Sequence, residues 1–511
     1  SRRLLHHPAP QDRQRARRGR GERMTDRSTL RRLAAGTVLI AFEGTTAPAW
    51  LLRAIGDGGY AGVVHFGSNI AGEEQVAALN AQLRDAAPHP IISVDEEGGD
   101  VTRLAHAQGS PYPGNAALGA VDDPDLTERV YSAMGADLRA LGFTLDFAPS
   151  GDVNSADDNP VIGTRSFAAS PEVVSRHTAA AVRGLQRAGL AACVKHFPGH
   201  GATTVDSHFD VPTVDVPLDV LHKRELAPFA AAIRAGVRSV MTAHVRVPVV
   251  TGAVPATLSR PALTDLLRGE LGFDGVVITD SMEMAAVRGT VGMADGAVLA
   301  LAAGADLLCT GGELRGQEVV EPMVEAIVRA VDDGRLAAER LADAAARVRA
   351  LASWPGTDDA VNEDGRVGLR AARQAVRILD GVPTRLQAPL VVELQSPPGM
   401  AVGPAVPWGL APSLSALLPG TEVRRVSELD ANASALASAA DSRSLVVVTR
   451  DAHRYTWQYA LVNELAAMRP DVVVVEMGLP AWRPSGAAAF IATYGAGRSN
   501  ARAAAELLSA V

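Results

Sequence analysis

The chain has 511 residues, too many for one ordinary hydrophobic core, so a large domain followed by a smaller one is expected. With 47% hydrophobic and 21% charged residues the composition is that of a soluble globular protein, and a net charge of −8 argues against nucleic acid or an anionic membrane as the main partner. The two cysteines, Cys193 and Cys309, each sit in an apolar run and read as buried thiols, which excludes a disulfide framework.

In chain order, the first stretch, SRRLLHHPAPQDRQRARRGRGERM, is basic and lacks the apolar core of about 7 to 15 residues that a secretory signal needs. Met24 is therefore expected to begin the natural protein, residues 1–23 to be a disordered or non-native extension, and the location to be cytoplasmic. No apolar run approaches the roughly 20 residues of a membrane span. From residue 36 short apolar runs alternate with helical patterns: TVLIAFEG (37–44), GVVHFG (62–67), PIISVDEEGG (90–99), FTLDFAPSGDVN (143–154), LAACVKHFPG (190–199), RSVMTAHV (238–245), GVVITDSM (275–282) and ADLLCTGG (305–312). Between them EEQVAALNAQLRDAA, DLTERVYSAMGADLRALG and PEVVSRHTAAAVRGLQRAG repeat apolar residues at three and four, with Pro171 and Ser259 at helix-opening positions. Strand and helix alternating in this way predict a (β/α)₈ barrel over residues 24–354. Two further helices follow the eighth run, then a linker over 355–384. A smaller α/β sandwich domain is expected over 385–511 from the runs APLVVEL, SLVVVTRD, DVVVVEM and AAFIATYG.

Chemistry follows the apolar part of nearly every barrel run: Asp95 after IISV, Asp152 and Asn154 after FAPSG, Lys195 and His196 after AACV, His244 after MTA, Asp280 after VVIT. Barrel enzymes build their sites on that face. The densest segment is KHFPGHGATTVDSHFDVP (195–212). His196 and His200 stand four apart, the offset of a helical zinc site, but Pro198 and Gly199 intervene and no Glu follows His196, so no metal is expected. PGHGATT and GAGRSN are Gly-rich without a phosphate-loop Lys or a dinucleotide fingerprint, and read as turns. Asp206 and His208, two apart, form a pair in which the carboxylate orients the imidazole for proton transfer; by spacing alone a solvated loop pair is the alternative. Asp280 ends a β-branched run and points to a nucleophile or cation stabiliser, against the alternative of a helix cap. Asp95, in VDEEGGDVTRL, suits hydroxyl recognition, against that of a charged loop rim. DAHRYTW (451–457) reads as a surface loop.

Taken together, VDEEGGDVTRL, DFAPSGDVN, GTRSF, KHFPGHGATTVDSH, MTAHV and TLSRPALTDLLRGELGFDGVVITDSMEM resemble family 3 glycoside hydrolases, in the branch of β-N-acetylglucosaminidases that recycle peptidoglycan fragments. The resemblance implies that Asp280 is the nucleophile of a retaining mechanism and that Asp206 and His208 are the acid/base dyad. It implies further that Asp95, Arg103, Arg165, Lys195 and His196 hold the sugar. The partner is then a small-molecule carbohydrate, such as a muropeptide or chitooligosaccharide, with no cofactor, nucleic acid or membrane; the oligomeric state is left open. One departure is Asp100, where members commonly carry Arg, which reverses a charge beside the site. A phosphorylase of the same family and a non-catalytic sugar-binding protein are the alternative functions.

Overall fold

The computed structural model describes residues 26–203, 211–357, 366–397, 401–402 and 406–510. Seven parallel strands pair in chain order: β1 Leu39–Ile40, β2 Gly62–His65, β3 Ile91–Val94, β4 Leu145–Asp146, β5 Ala191–Phe197, β6 Ser239–Thr242 and β7 Val276–Thr279. The eighth run closes the ring without forming a regular strand. Leu307 bridges Ile278 and Leu308 bridges Val38, both in parallel, so the predicted barrel is present with its eighth stave reduced to two bridges.

Continuous apolar runs arise here because both faces of each strand are buried. Inside the ring Leu39, Val64, Phe147, Cys193, Met241, Ile278 and Leu307 form one core. Outside it Ile40, Val63, Ile92, Val194, Val240 and Val277 pack with the helices in a second, larger core. The helices begin where capping chemistry directs. Pro124–Ala140 opens on Asp123, whose side chain accepts from the N–H groups of Asp125 and Leu126, and Pro171–Arg187 opens on Ser170, which accepts from Val173. Ser259 likewise accepts from the Ala262 N–H, at 3.4 Å.

Six strands form the second sheet: β8 Arg377–Gly381, β9 Leu390–Leu394, β10 Glu422–Val426, β11 Leu445–Thr449, β12 Val473–Glu476 and β13 Ala489–Ala492, in the order β10-β9-β11-β12-β13-β8. Only β8, at the edge, is antiparallel. Val392, Val447, Val474 and Phe490 face one core, while Val391, Val446, Val473 and Ile491 face the other, giving the predicted three layers. The four central strands coincide with the four apolar runs. The edge strands β8 and β10 have mostly exposed side chains, so neither carries an apolar run. Within the stretch expected as a linker, the helix Val367–Ala375 and β8 are regular elements, and β8 completes the second sheet.

Loops of the two domains meet in a contact that includes polar and close backbone approaches. His453 Nε2 donates to Asp157 O at 2.7 Å, which places the DAHRYTW segment against the barrel. A Cβ on Gly497, in GAGRSN, would lie 3.2 Å from Gly99 Cα, a tight backbone approach between the domains. Among the described residues no helix is long and apolar enough to cross a membrane.

Closure of the ring depends on Asp306, fully buried beside Leu307. Its carboxylate accepts from the Val277 N–H at 2.9 Å and from Arg340 Nη2 at 2.7 Å, and it also pairs with Arg268. Removing one member of a buried charged cluster leaves the others unpaired and costs about 3 kcal/mol. Asp306→Ala is therefore expected to lower the barrel's stability by that amount, read as a reduced midpoint in urea unfolding; an unchanged midpoint would refute this role.

Candidate active site

A cavity of about 820 Å³ opens at the C-terminal ends of the strands. Phe147, Met241 and Cys309 form its floor and are shared with the inner core, while polar side chains from the following loops form its walls. Of the residues singled out from the sequence, Asp95, Arg103, Arg165, Lys195, His196 and Asp280 all line this one cavity. Asp206 and His208 lie outside the described residues.

Glu97, two residues beyond Asp95, is the hub of the charged wall. It receives Arg165 Nε at 2.9 Å and Arg165 Nη2 at 2.7 Å, the two-pronged geometry that matches a guanidinium to a carboxylate. Lys195 Nζ lies 2.7 Å from Glu97 Oε1 and 2.7 Å from Asp95 Oδ1. Burial alone would push the Glu97 carboxyl up, but Arg165 and Lys195 hold it well below the usual carboxylate range. Burial alone would also lower the Lys195 ammonium, yet Asp95 and Glu97 hold it above its ordinary value. Lys195 is thus a permanent cation and donor, not a base. Arg103 approaches Asp95 from the other side at 3.9 Å.

A second cluster lies on the β5 side of the cavity. The segment after β4 brings Asp152 beneath the turn that follows β5. Asp152 meets His196 Nδ1 at 2.7 Å and accepts from the His200 N–H at 2.7 Å. Arg165 Nη2, which can only donate, lies 3.3 Å from His196 Nε2, so Nε2 accepts and Nδ1–H donates to Asp152. Complete burial would raise the Asp152 carboxyl, but the neighbouring His196 and His200 hold it down to about 2. Burial and His196 pull His200 down to about 4, and its Nδ1 lies 2.7 Å from Thr203 Oγ1. Gly201 has no room for a side chain, because a Cβ there would lie 1.9 Å from Val153 O. The glycine turn is therefore dictated by this close approach.

Asp280 directly follows β7 and is half-buried, its Oδ1 accepting from the Ser281 N–H at 2.7 Å. The loop beyond it is pinned from β6: His244 Nε2 donates to Ser281 O at 2.9 Å, with Thr257 Oγ1 2.8 Å from the other ring nitrogen. Glu283 pins the loop that faces it, accepting from the N–H groups of Glu313 and Leu314 at 2.6 and 2.7 Å. Among the described residues no group of three or more His, Cys, Asp and Glu is arranged to hold a metal ion.

Several contributors were not singled out from the sequence. Glu97 stood in plain view in VDEEGG, but only the fold reveals that it, not Asp95 alone, anchors Lys195. Glu96 turns away from the cavity's cations and accepts from the N–H groups of Arg103 and Leu104 at 2.9 and 3.0 Å, and burial pushes its carboxyl up to about 7. Ala401, Val402 and Val406 reach the cavity from the second domain, and no local pattern marks them.

Comparison with known proteins agrees with this architecture. Residues 49–351 match the glycosyl hydrolase family 3 N terminal domain. A beta-hexosaminidase of Xylella fastidiosa is 42% identical over 279 residues, covering 53% of this chain and 82% of that one. Beta-hexosaminidase A of Pseudoalteromonas piscicida is 34% identical over 331 residues, 60% of this chain but only 55% of its own length. Among solved structures, a glycoside hydrolase family 3 beta-N-acetylglucosaminidase from Paenibacillus sp. FPU-7 superposes with a TM-score of 0.84 at 34% identity, covering 94% of this chain and 97% of that one. With the match to the family domain extending over more than half of its length, the chain belongs to glycosyl hydrolase family 3.

Proposed function

We propose that the chain is a retaining exo-β-N-acetylglucosaminidase that removes terminal β-linked GlcNAc from peptidoglycan-derived muropeptides or chitooligosaccharides. The observation that carries this reading is the convergence on one cavity of Asp280 with Asp95, Arg103, Arg165, Lys195 and His196, in a chain whose relatives include named beta-hexosaminidases. Retention needs a nucleophile on one side of the glycosidic bond and an acid/base on the other. Asp280 attacks the anomeric carbon and forms a glycosyl ester as the bond to the leaving oxygen breaks. His208, oriented by Asp206, gives its proton to that oxygen, then takes one from the water that releases the sugar. Lys195, Asp95 and Arg103 bind ring hydroxyls through charged hydrogen bonds, while Glu97 and Asp152 keep Lys195, Arg165 and His196 in place.

Asp280→Asn is expected to reduce turnover of p-nitrophenyl β-GlcNAc by at least about 10³-fold, and a 2-fluoro sugar is expected to add its mass to the peptide carrying Asp280. Near-normal turnover, or labelling elsewhere, would sink the nucleophile assignment. His208→Ala is expected to slow substrates with poor leaving groups at least about tenfold more than the p-nitrophenyl glycoside, whose departure needs little proton help. Equal slowing of both would count against the acid role. Rates measured with and without phosphate separate hydrolysis from phosphorolysis.

A further inference from the structure

The segment that supplies Glu97 to the site also carries two residues that leave the barrel. Arg103 Nη2 donates to Ala401 O at 2.8 Å and its Nη1 to Val402 O at 3.4 Å, both carbonyls of the second domain. Asp100, three residues earlier and buried, accepts from the Ala496 N–H at 2.8 Å and lies 3.5 Å from Arg450 Nη2, again in the second domain. Within the barrel Asp100 accepts from Thr164 Oγ1 at 2.6 Å, one residue from Arg165. Arg450 follows β11, and its carbonyl accepts from Ser396 Oγ at 3.0 Å, on the segment that leads to Ala401. Asp100 and Arg103, three residues apart on the barrel, thus both reach the second domain, one at Arg450 and Ala496 and the other at Ala401 and Val402.

We propose that Asp100 is a positioning residue: by latching the second domain to the barrel it sets the Ala401 and Val402 carbonyls that orient the Arg103 guanidinium for sugar binding. The proposal rests on Arg103 contacting the sugar, as in the function proposed above. A guanidinium on a long side chain is useful for binding only if its plane is held beforehand, since ordering it on arrival of the sugar weakens binding. The barrel supplies one restraint, the Asp95 carboxylate at 3.9 Å, and the second domain supplies the two shorter ones. Val402 is itself buried and lines the cavity, so a shifted second domain also removes part of the wall. The acidic side chain at position 100 acquires a reason in this arrangement: its charge is met by Arg450 from across the domain contact.

The test compares Asp100→Asn, Arg450→Met and the double variant in the full chain. The asparagine keeps an acceptor for the Ala496 N–H but loses the charge, and Arg450→Met leaves Asp100 intact should the first variant fail to fold. With p-nitrophenyl β-GlcNAc, each single variant is expected to raise KM about tenfold while kcat changes less than about twofold, and the double variant is expected to be no worse than Asp100→Asn. Hydrogen exchange at the Arg103 and Leu104 amides is expected to quicken in all three. Unchanged KM with a lowered Tm would overturn the proposal, leaving a purely structural contact; strictly additive KM effects would also overturn it. Should the wild-type chain not cleave β-GlcNAc, the function proposed above fails, and the latch is still decided by amide exchange: faster exchange supports it, and unchanged exchange overturns it.

Discussion

Lys195 and Arg165, both buried, converge on one buried carboxylate, Glu97, and the mouth of the barrel is organised around that shared charge. Taking any of these groups out of water alone would cost several kcal/mol, so each is tolerated only because the others are within hydrogen-bond reach. The requirement ties together three segments far apart in the chain: the loop after β3, the turn at 163–165 and the end of β5. Asp95 then meets the second face of Lys195, which leaves a fixed row of alternating charges along one wall of the cavity. Such a row is suited to a ligand rich in hydroxyls, which can donate to the carboxylates and accept from the cations in the same plane.

The same logic gives the buried groups around the cavity different proton affinities. Asp152 is held down to about 2 by the histidines around it, Glu96 is pushed up to about 7 by burial, and His200 is pulled down to about 4. Asp152 is a lasting anion that directs His196. His200 is neutral near pH 7 and, with its Nδ1 beside Thr203, serves the architecture of the glycine turn more than proton traffic. The described charges along the cavity are thus held in fixed pairs, each by a named partner.

Beside the site, the second domain reaches the barrel through directed hydrogen bonds, while the helix Val367–Ala375 adds Val367 and Ala371 to the barrel's outer core. Glycine meets glycine at Gly99 and Gly497, while Asp100 and Arg103 reach across in opposite roles, one accepting and one donating. A contact of this kind is geometrically exacting, because each partner is aimed. Asp100, though buried, is not a lone ion, because Arg450 meets it from across the contact at 3.5 Å.

Much of this was legible in the amino-acid sequence. The strand-helix alternation predicts the barrel because strands buried on both faces must be apolar throughout, and the polar residue ending each run predicts which rim carries the site. Eight runs were readable even though the eighth forms only two bridges. The edge strands β8 and β10 leave no such mark in the sequence, because exposed strands need no apolar pattern. Asp95, Arg103, Arg165, Lys195, His196 and Asp280 were identifiable by motif, and the fold gathers all six. What tertiary structure alone decided is the pairing: that Arg165 and Lys195 share Glu97, that His196 belongs to Asp152, and that Arg103 answers to carbonyls about 300 residues away. Local sequence governs secondary structure and which face is polar, since both depend on near neighbours. The partner of a buried charge depends instead on where ring closure and domain docking bring distant segments together.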